Sequence, residues 1–549
     1  MNCPAKLVCH PLGAVAAFLI GSALFAAAYC QAPLYYSNQN QYFLKGVAAG
    51  SDTPLAHDWL VNTADPVPVF SKFVELCVRY VGEWPFQAVF FVALVGYFLA
   101  AWRLVEKLRP SPLSPVGGVV FAFAFTAIHA GLLRWASTAL FGEDYLWFFQ
   151  SGLANQYLLG PGLQPSVIGV LLLWAVAEYA NGRPVLAAAL AAGATLVHST
   201  YLMSAAMLVG GFVIHLLVLR QWKAAGLSAL VSVLLVLPTV VYTLLVFGPA
   251  DADTFRESQR ILAEVRIPHH CRPARWFDWA AGMQVVWMLL GLVLLRKTRL
   301  FVPLAVVSGL VLIGTLAMIA TENPTLSLLF PWRVTAVLIP VSTAAVFVAA
   351  VKWCEGWLDP GKGRSIAHSP GTKIVWVGGL PTFFFVVPFA FVAITFAILV
   401  YTYRLGYREP ESETPLLDHI AATRTDADLY LIPSRFPGPP KSAGVYSKTF
   451  TPPQPAFSDL ARFRLATRAR LFVDFKAIPY KDADVIEWFQ RVSACERWYA
   501  ETDWDYSGVM DELDAGHINH VVVPADKFVV SSRLVLELET PRYNLYRVK

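Results

Sequence analysis

Residues 225–247, AGLSALVSVLLVLPTVVYTLLVF, run for 23 positions without an acid, a base or an amide. About 20 apolar residues carry a helix across a ~30 Å hydrocarbon core, where every backbone polar group must be bonded within the helix. The stretch therefore reads as a membrane span. Ten further runs of the same kind lie around it, at 12–30, 84–102, 116–133, 163–180, 184–198, 201–219, 280–295, 300–320, 330–353 and 376–400. Trp84, Trp102, Trp276, Trp279, Trp353 and Trp376 sit near their ends, as an interfacial aromatic belt requires. The composition of the whole chain agrees. Of its 549 residues 56% are hydrophobic and 15% charged, and its mean hydropathy is +0.52. Soluble domains are roughly 45–50% apolar and about 25% charged, so an ordinary soluble enzyme is excluded.

The charges are unevenly placed. Residues 404–549 carry 40 of the chain's 81 charged residues, so a long apolar body (1–403) precedes a tail of ordinary polarity (404–549). The net charge of +5 is dispersed over loops and does not suggest nucleic-acid binding. With the N-terminus in the cytoplasm, alternate connections place 14 basic residues inside, among them Arg103, Lys107, Arg183, Arg220, Arg296, Arg299 and Lys352. The outer loops 31–83, 134–162 and 248–279 carry nine, in longer segments. This bias fixes the orientation and puts the tail outside. Reading 184–198 and 201–219 as one helix across His198-Ser199-Thr200-Tyr201 would place Arg296–Arg299 outside, so the two are kept apart. Ala26-Ala27-Ala28 has the small-residue character of a signal-cleavage site. The apolar run before it exceeds the roughly 7–15 residues of a signal core, however, and is read as a retained span. The seven cysteines form no CxxC pair and no Cys/His metal spacing.

The long outer loops are where a scaffold of spans builds its site. The first contains Tyr35-Tyr36-Ser37-Asn38-Gln39-Asn40-Gln41-Tyr42-Phe43, then His57-Asp58-Trp59, then Asp65-Pro66-Val67-Pro68-Val69-Phe70. Two readings stand: aromatics anchoring the loop in the headgroup region, or a polar pocket with Asp58 and Asp65 as candidate general bases. Pro66 and Pro68 would hold Asp65 in one geometry, whereas Asp58 equally suits orienting His57 or capping a helix. The loop at 248–279 holds Arg266, His269, His270, Arg272 and Arg275 within ten residues. Arginine forks match phosphate oxygens, so the segment suits a phosphate or pyrophosphate headgroup, with simple headgroup anchoring as the alternative. His269 and His270, being adjacent, make a poor zinc pair. Arg333 lies inside a predicted span near its outer end, which marks either a functional polar pocket or a snorkelling side chain. Glu143, Asp144, His129 and His198 read as structural hydrogen-bonders.

From about residue 412 short apolar strands alternate with amphipathic segments. Strands are expected at 428–433, 471–475, 519–523 and 543–548, and helices at 413–423, 456–466 and 481–500. Such alternation predicts a small α/β domain with a largely parallel sheet, able to fold by itself. The Pro-rich 433–455 stretch is expected to be a long loop.

The layout and the first loop resemble membrane glycosyltransferases of the GT-C superfamily, such as the protein O-mannosyltransferases and the lipid A aminoarabinose transferases. Their first-loop pattern, Pro-Asp-Glu-x-x-Tyr, then Gly-Asp-Trp, then Pro-Pro-Leu, is similar in order to Ser37-Asn38-Gln39-Asn40-Gln41-Tyr42, His57-Asp58-Trp59 and Asp65-Pro66-Val67-Pro68-Val69. Asn519–Val523 and Tyr543–Val548 resemble the close of their C-terminal domains. One departure matters: the superfamily's acidic pair falls on Asn38-Gln39, and neither amide can act as a base. The His269-His270 loop and the His57–Phe70 segment also resemble a bacterial membrane family of unknown function.

The resemblance implies an α-helical polytopic membrane protein of about eleven spans with a C-terminal extracytoplasmic α/β domain, in a bacterial inner membrane. It implies a glycosyltransferase-like enzyme moving a sugar from a polyprenyl phosphate to a glycan, lipid or protein acceptor. Arg266, Arg272, Arg275 and Arg333 would meet the donor phosphate and Asp65 or Asp58 would be the base, with Asn38, Gln39, Tyr42, His57, His269 and His270 as further pocket residues. No motif requires a cofactor, and a divalent metal ion is compatible with the chemistry. The competing classes are a transporter or flippase of a lipid-linked or anionic solute, and a catalytically silent membrane subunit of a cell-surface polymer assembly system.

Overall fold

The computed structural model describes residues 11–29, 32–108, 113–358, 411–436 and 460–549, together with 394, 395 and 398. In the apolar body these form α1 (Pro11–Ala28), α2 (Gln39–Tyr42), α3 (Leu44–Gly50), α4 (Pro68–Tyr80), α5 (Trp84–Val105), α6 (Pro115–His129), α7 (Gly131–Phe141), α8 (Val170–Ala180) and α9 (Pro184–Val197). There follow α10 (Leu202–Val218), α11 (Trp222–Val246), α12 (Ala252–Arg260), α13 (Pro268–Cys271), α14 (Pro273–Trp276), α15 (Trp279–Leu295), α16 (Phe301–Thr321), α17 (Pro324–Leu328) and α18 (Thr335–Leu358). Among the described residues five helical runs are long and apolar enough to cross a membrane: Trp84–Val105, Ser199–Val218, Trp222–Val246, Phe301–Thr321 and Pro324–Gly356. Val116–His129, Pro165–Ala180, Pro184–Val197 and Trp279–Leu295 are apolar but shorter. The expected run 376–400 lies almost wholly outside the described residues.

The break at His198 is a true reversal. Ser232 and Thr239 of α11 donate to the carbonyls of Ala188 and Thr195 of α9, and both pairs are 44 residues apart, so the two helices run parallel. At ~1.5 Å per residue, Val197 lies ~14 Å beyond Ala188 and Trp222 lies ~15 Å before Ser232. The chain must therefore descend ~29 Å between them, and the 17 residues of α10 supply ~25 Å. Two spans, not one, fit this arithmetic.

The same alternation holds throughout. The helices α1, α6, α9, α11 and α16 end in a layer built by the long loops, and α5, α8, α10, α15 and α18 begin there. The marks are hydrogen bonds such as Tyr29 to the Leu159 carbonyl, Tyr242 to the Asp65 carbonyl and Leu153 N–H to Thr335. At the opposite end Glu178 is buried and takes both Arg103 and Arg183, while Glu355 pairs with Lys352 and accepts from Ser114. The basic connections thus gather at one end and the long loops at the other.

The loops carry more structure than expected. Residues 31–83 hold α2 to α4, and α3 packs tightly on α4, since a Cβ on Gly46 would overlap the Ser71 carbonyl and Val74. The expected span at 116–133 stops at His129, because Ala130 is extended (ψ 128) and α7 starts a new direction.

The tail contains α19 (Thr414–Thr423), β1 (Leu429–Leu431), α20 (Phe463–Thr467), β2 (Arg470–Leu471), α21 (Asp482–Ala500), α22 (Val509–Ala515), β3 (His520–Pro524), β4 (Leu534–Glu539) and β5 (Tyr543–Val548). The sheet order is β2-β1-β3-β5-β4. Strands β2, β1 and β3 are parallel and β3, β5 and β4 antiparallel, so the sheet is mixed where a largely parallel one was expected. The reason is local: no helix separates β4 from β5, and two strands joined that closely can only return antiparallel. Most of the Pro-rich stretch, from 437 on, and residues 456–459 of an expected helix lie outside the described residues.

Nor is the tail's core its own. Ile261 and Leu262, from the 248–279 loop, are buried in one cluster with Leu431, Trp488, Trp504 and Val521 of the tail. The boundary at 404 separates two compositions while the apolar core runs across it.

Candidate functional site

Three segments meet where the bundle, the loops and the tail come together. The first is 35–42. Tyr35 and Ser37 take left-handed φ values of 67° and 50°, a conformation costly for residues with side chains. Gln39 holds that turn: its Oε1 accepts from Tyr35 N–H at 2.7 Å and its Nε2 donates to the Leu163 carbonyl at 2.9 Å. Gln39 is therefore buried and occupied. Asn38 points the other way, and its Oδ1 accepts from Lys476 Nζ of the tail at 2.8 Å.

The second segment joins the α9–α10 turn to the start of α18. Arg333 follows Phe330, another left-handed residue (φ 50°), and its Nη2 lies 3.2 Å from His198 Nε2. Its guanidinium sits 4.9 Å over the Tyr201 ring, and the Tyr201 hydroxyl donates to the Ser166 carbonyl at 2.5 Å. His198, 2% exposed, meets Tyr42 and Tyr201 edge-on at 5.6 and 5.4 Å. Its Nδ1 is buried and has no hydrogen-bond partner among the described residues. Arg333 makes no ion pair with a carboxylate among them.

The third segment faces these from the outer side. Arg266 closes a π-helical turn, Ile261–Arg266, a rare element often found at functional sites. Its Nη2 donates to the Lys476 carbonyl at 2.5 Å and its guanidinium lies 5.1 Å over Phe475. Tyr480 accepts from Gln41 and is hydrogen-bonded to Tyr42. Both phenols are pushed above the ordinary tyrosine range by burial, against the pull of Arg333 and Arg266, so both keep their protons. The result is a niche of donors: two guanidiniums, an ammonium, protonated tyrosines and a histidine. Such a set suits an anion with several oxygens, and arginine can engage it bidentately.

The two candidate bases part company. Asp58 is fully buried; its Oδ1 accepts from Leu60 N–H at 2.9 Å, and its Oδ2 accepts from Leu471 N–H and Arg464 Nε, both at 2.8 Å. Arg464 also pairs with Asp474. Asp58 thus sits in a saturated ionic knot between body and tail. Asp65 is half-buried, its Oδ1 accepts from Val67 N–H at 2.9 Å, and it lines a small cleft with Tyr42, Lys45, Thr63 and Tyr480. Asp65 borders the niche through the two tyrosines; Asp58 does not.

The remaining expected residues lie outside. Arg272 is exposed and paired with Glu264, and Arg275 and His57 are exposed. The rings of His269 and His270 lie 4.2 Å apart, tilted by 51°. His270 Nδ1 lies 2.8 Å from the Ala154 carbonyl and 3.1 Å from Gln156 Nε2, so it fastens two loops together. Among the described residues no group of three or more His, Cys, Asp or Glu is placed to hold a metal ion. Sequence reading missed Lys476, Tyr480, Gln41 and Tyr201, and no local pattern marks them: each matters only through a partner far along the chain.

A family model described as Domain of unknown function (DUF6798) matches residues 447–495, which include Arg464, Asp474, Lys476 and Tyr480. No curated protein matches the chain. Among solved structures, that of ArnT from Cupriavidus metallidurans bound to undecaprenyl phosphate is similar, with 12% sequence identity and a TM-score of 0.42 over 98% of this chain and 97% of that one.

Proposed function

We propose that the chain is a multi-pass membrane enzyme that transfers a sugar from a polyprenyl-phosphate donor to a hydroxyl-bearing acceptor at the loop–tail layer. The layer faces the extracytoplasmic side after eleven crossings. The observation that carries this reading is the half-buried niche in which Arg333, Arg266, Lys476, Tyr42 and Tyr480 supply donors. Arg333 and Arg266 hold the donor phosphate and stabilise the charge that grows on it as the anomeric C–O bond breaks. Asp65, across the tyrosine pair, takes the proton from the acceptor hydroxyl as the new C–O bond forms.

The test is binding of undecaprenyl phosphate, with undecaprenol as the uncharged control, to the full chain in nanodiscs. Arg333→Ala should weaken phosphate binding by about 10–100-fold, the worth of a charge-assisted hydrogen bond, and Arg272→Ala should leave it unchanged. Equal affinity for phosphate and alcohol would sink the reading. A second reading is favoured by Asn38 and Gln39: the niche binds a lipid phosphate without turnover. Binding with no transfer from any polyprenyl-phosphate sugar, in the wild type, selects it.

A further inference from the structure

Between the niche and the surface runs the turn 58–65, and its inner side is held by one amine. Lys45 Nζ of α3 donates to the carbonyls of Leu60 (3.2 Å), Val61 (2.7 Å) and Thr63 (2.5 Å). An ammonium has three protons, and three carbonyls take them all. Lys45 itself cannot drift, because α3 is locked on α4 through Gly46. Two residues beyond Thr63 comes Asp65, whose carbonyl accepts from Tyr242 at 2.7 Å and whose Oδ1 is taken by Val67 N–H. Its Oδ2 has no hydrogen-bond partner among the described residues.

We propose that Lys45 is the positioning residue of the cleft: its charged amine ties residues 60–63 to α3 and so fixes the carboxylate of Asp65. This rests on the reading in which Asp65 acts as base. A neutral amine has two protons and a lone pair, so it must release one of the three carbonyls and repel it. The charged groups that face Lys45 are Asp58 and Asp65 of the turn and Asp484 of α21, while Lys72 and Glu75 of α4 line the adjoining cleft. Burial lowers the amine to about 8 against the pull of those three aspartates, so the tie loosens just above neutral pH. The sign for global stability is opposite. A lysine depressed in the fold costs stability while it is charged, and that cost is relieved as pH rises from 8 towards its ordinary value. Loosening is thus a local event, separable from unfolding.

The experiment is hydrogen exchange read by mass spectrometry on residues 58–67 of the full chain in nanodiscs, beside the pH profile of transfer. In the wild type the amides of Thr63 and Val67 should exchange faster, after correction for intrinsic rate, as pH passes 8. Lys45→Met should show that faster exchange, by about tenfold or more, already at pH 7. Lys45→Arg, which keeps its charge, should stay protected and active to higher pH. Lys45→Met should lower kcat by roughly 10–100-fold with donor KM unchanged, as displacement of a base by an ångström does. Unchanged exchange in Lys45→Met overturns the proposal. Loosened exchange with full turnover in Asp65→Asn leaves Lys45 holding the turn and overturns the role of Asp65 instead.

Discussion

Asp58→Asn separates a structural carboxylate from a catalytic one. In the wild type three donors end on Asp58: Leu60 N–H, Leu471 N–H and Arg464 Nε. An asparagine keeps its oxygen on Leu471 N–H and Arg464 Nε and turns an NH2 towards Leu60 N–H. Removing one partner of a buried ion pair costs about 3–5 kcal/mol when the other charge is left alone. Arg464 still has Asp474, so the ionic part falls below that range. One buried N–H left unsatisfied adds about 1–3 kcal/mol. We therefore expect about 3 kcal/mol, which is more than a hundredfold in the equilibrium between docked and undocked tail. The loss should appear at the seam: faster proteolysis of the tail in nanodiscs and earlier melting of the fluorescence of buried Trp488 and Trp504. Double substitution with Arg464→Met should be strongly non-additive. A base would behave differently, losing roughly 10²–10⁴ in rate with the seam intact. If Asp58→Asn leaves proteolysis and melting unchanged but abolishes turnover, the structural assignment is wrong.

Two further outcomes test the frame. A reporter active only in the cytoplasm should be silent when fused after Lys549 and active when fused within 353–375; the reverse pair of results would refute the eleven-crossing orientation. Gly46→Val should force α3 off α4, because no side chain fits against the Ser71 carbonyl and Val74, at a cost of about 1–3 kcal/mol in thermal unfolding; an unshifted melt would show that the contact is soft.

What the sequence made legible follows from the range of each interaction. Charge-free runs such as 225–247 and the basic connections are local signals, and they predicted α11 and the reversal at His198. Alternation likewise marked β1, β3 and β5. β4, Leu534–Glu539, escaped because it is an edge strand whose two glutamates blur its pattern. Arg333 was singled out because a cation inside a span is costly, and Arg266 because three arginines crowd one loop. Arg272 and Arg275 carried the same signal and turn out exposed, since only the π-helical turn decides which arginine of that loop faces inward. Local sequence favoured Asp65 over Asp58 only slightly, through its flanking prolines; what distinguishes them in the fold is Arg464, 406 residues from Asp58.

The placing of the niche on the seam has a consequence for binding. Arg333, His198 and Tyr201 belong to the body, whereas Lys476 and Tyr480 belong to the tail, so an anion bound by both sets holds the two together. By linkage, ligand at a hundred times its Kd adds about 2.7 kcal/mol to docking, nearly the amount Asp58→Asn removes. Undecaprenyl phosphate should therefore restore protease resistance to the tail of Asp58→Asn, and undecaprenol should not. Its apparent affinity for that variant should fall only by the fraction of tail left docked, so a still-docked tail costs binding little. Arg333→Ala has the opposite signature, with a docked tail and weak binding. If the lipid phosphate binds Asp58→Asn tightly yet leaves its tail as cleavable as before, the anion touches one side of the seam only, and Lys476 and Tyr480 have no part in holding it.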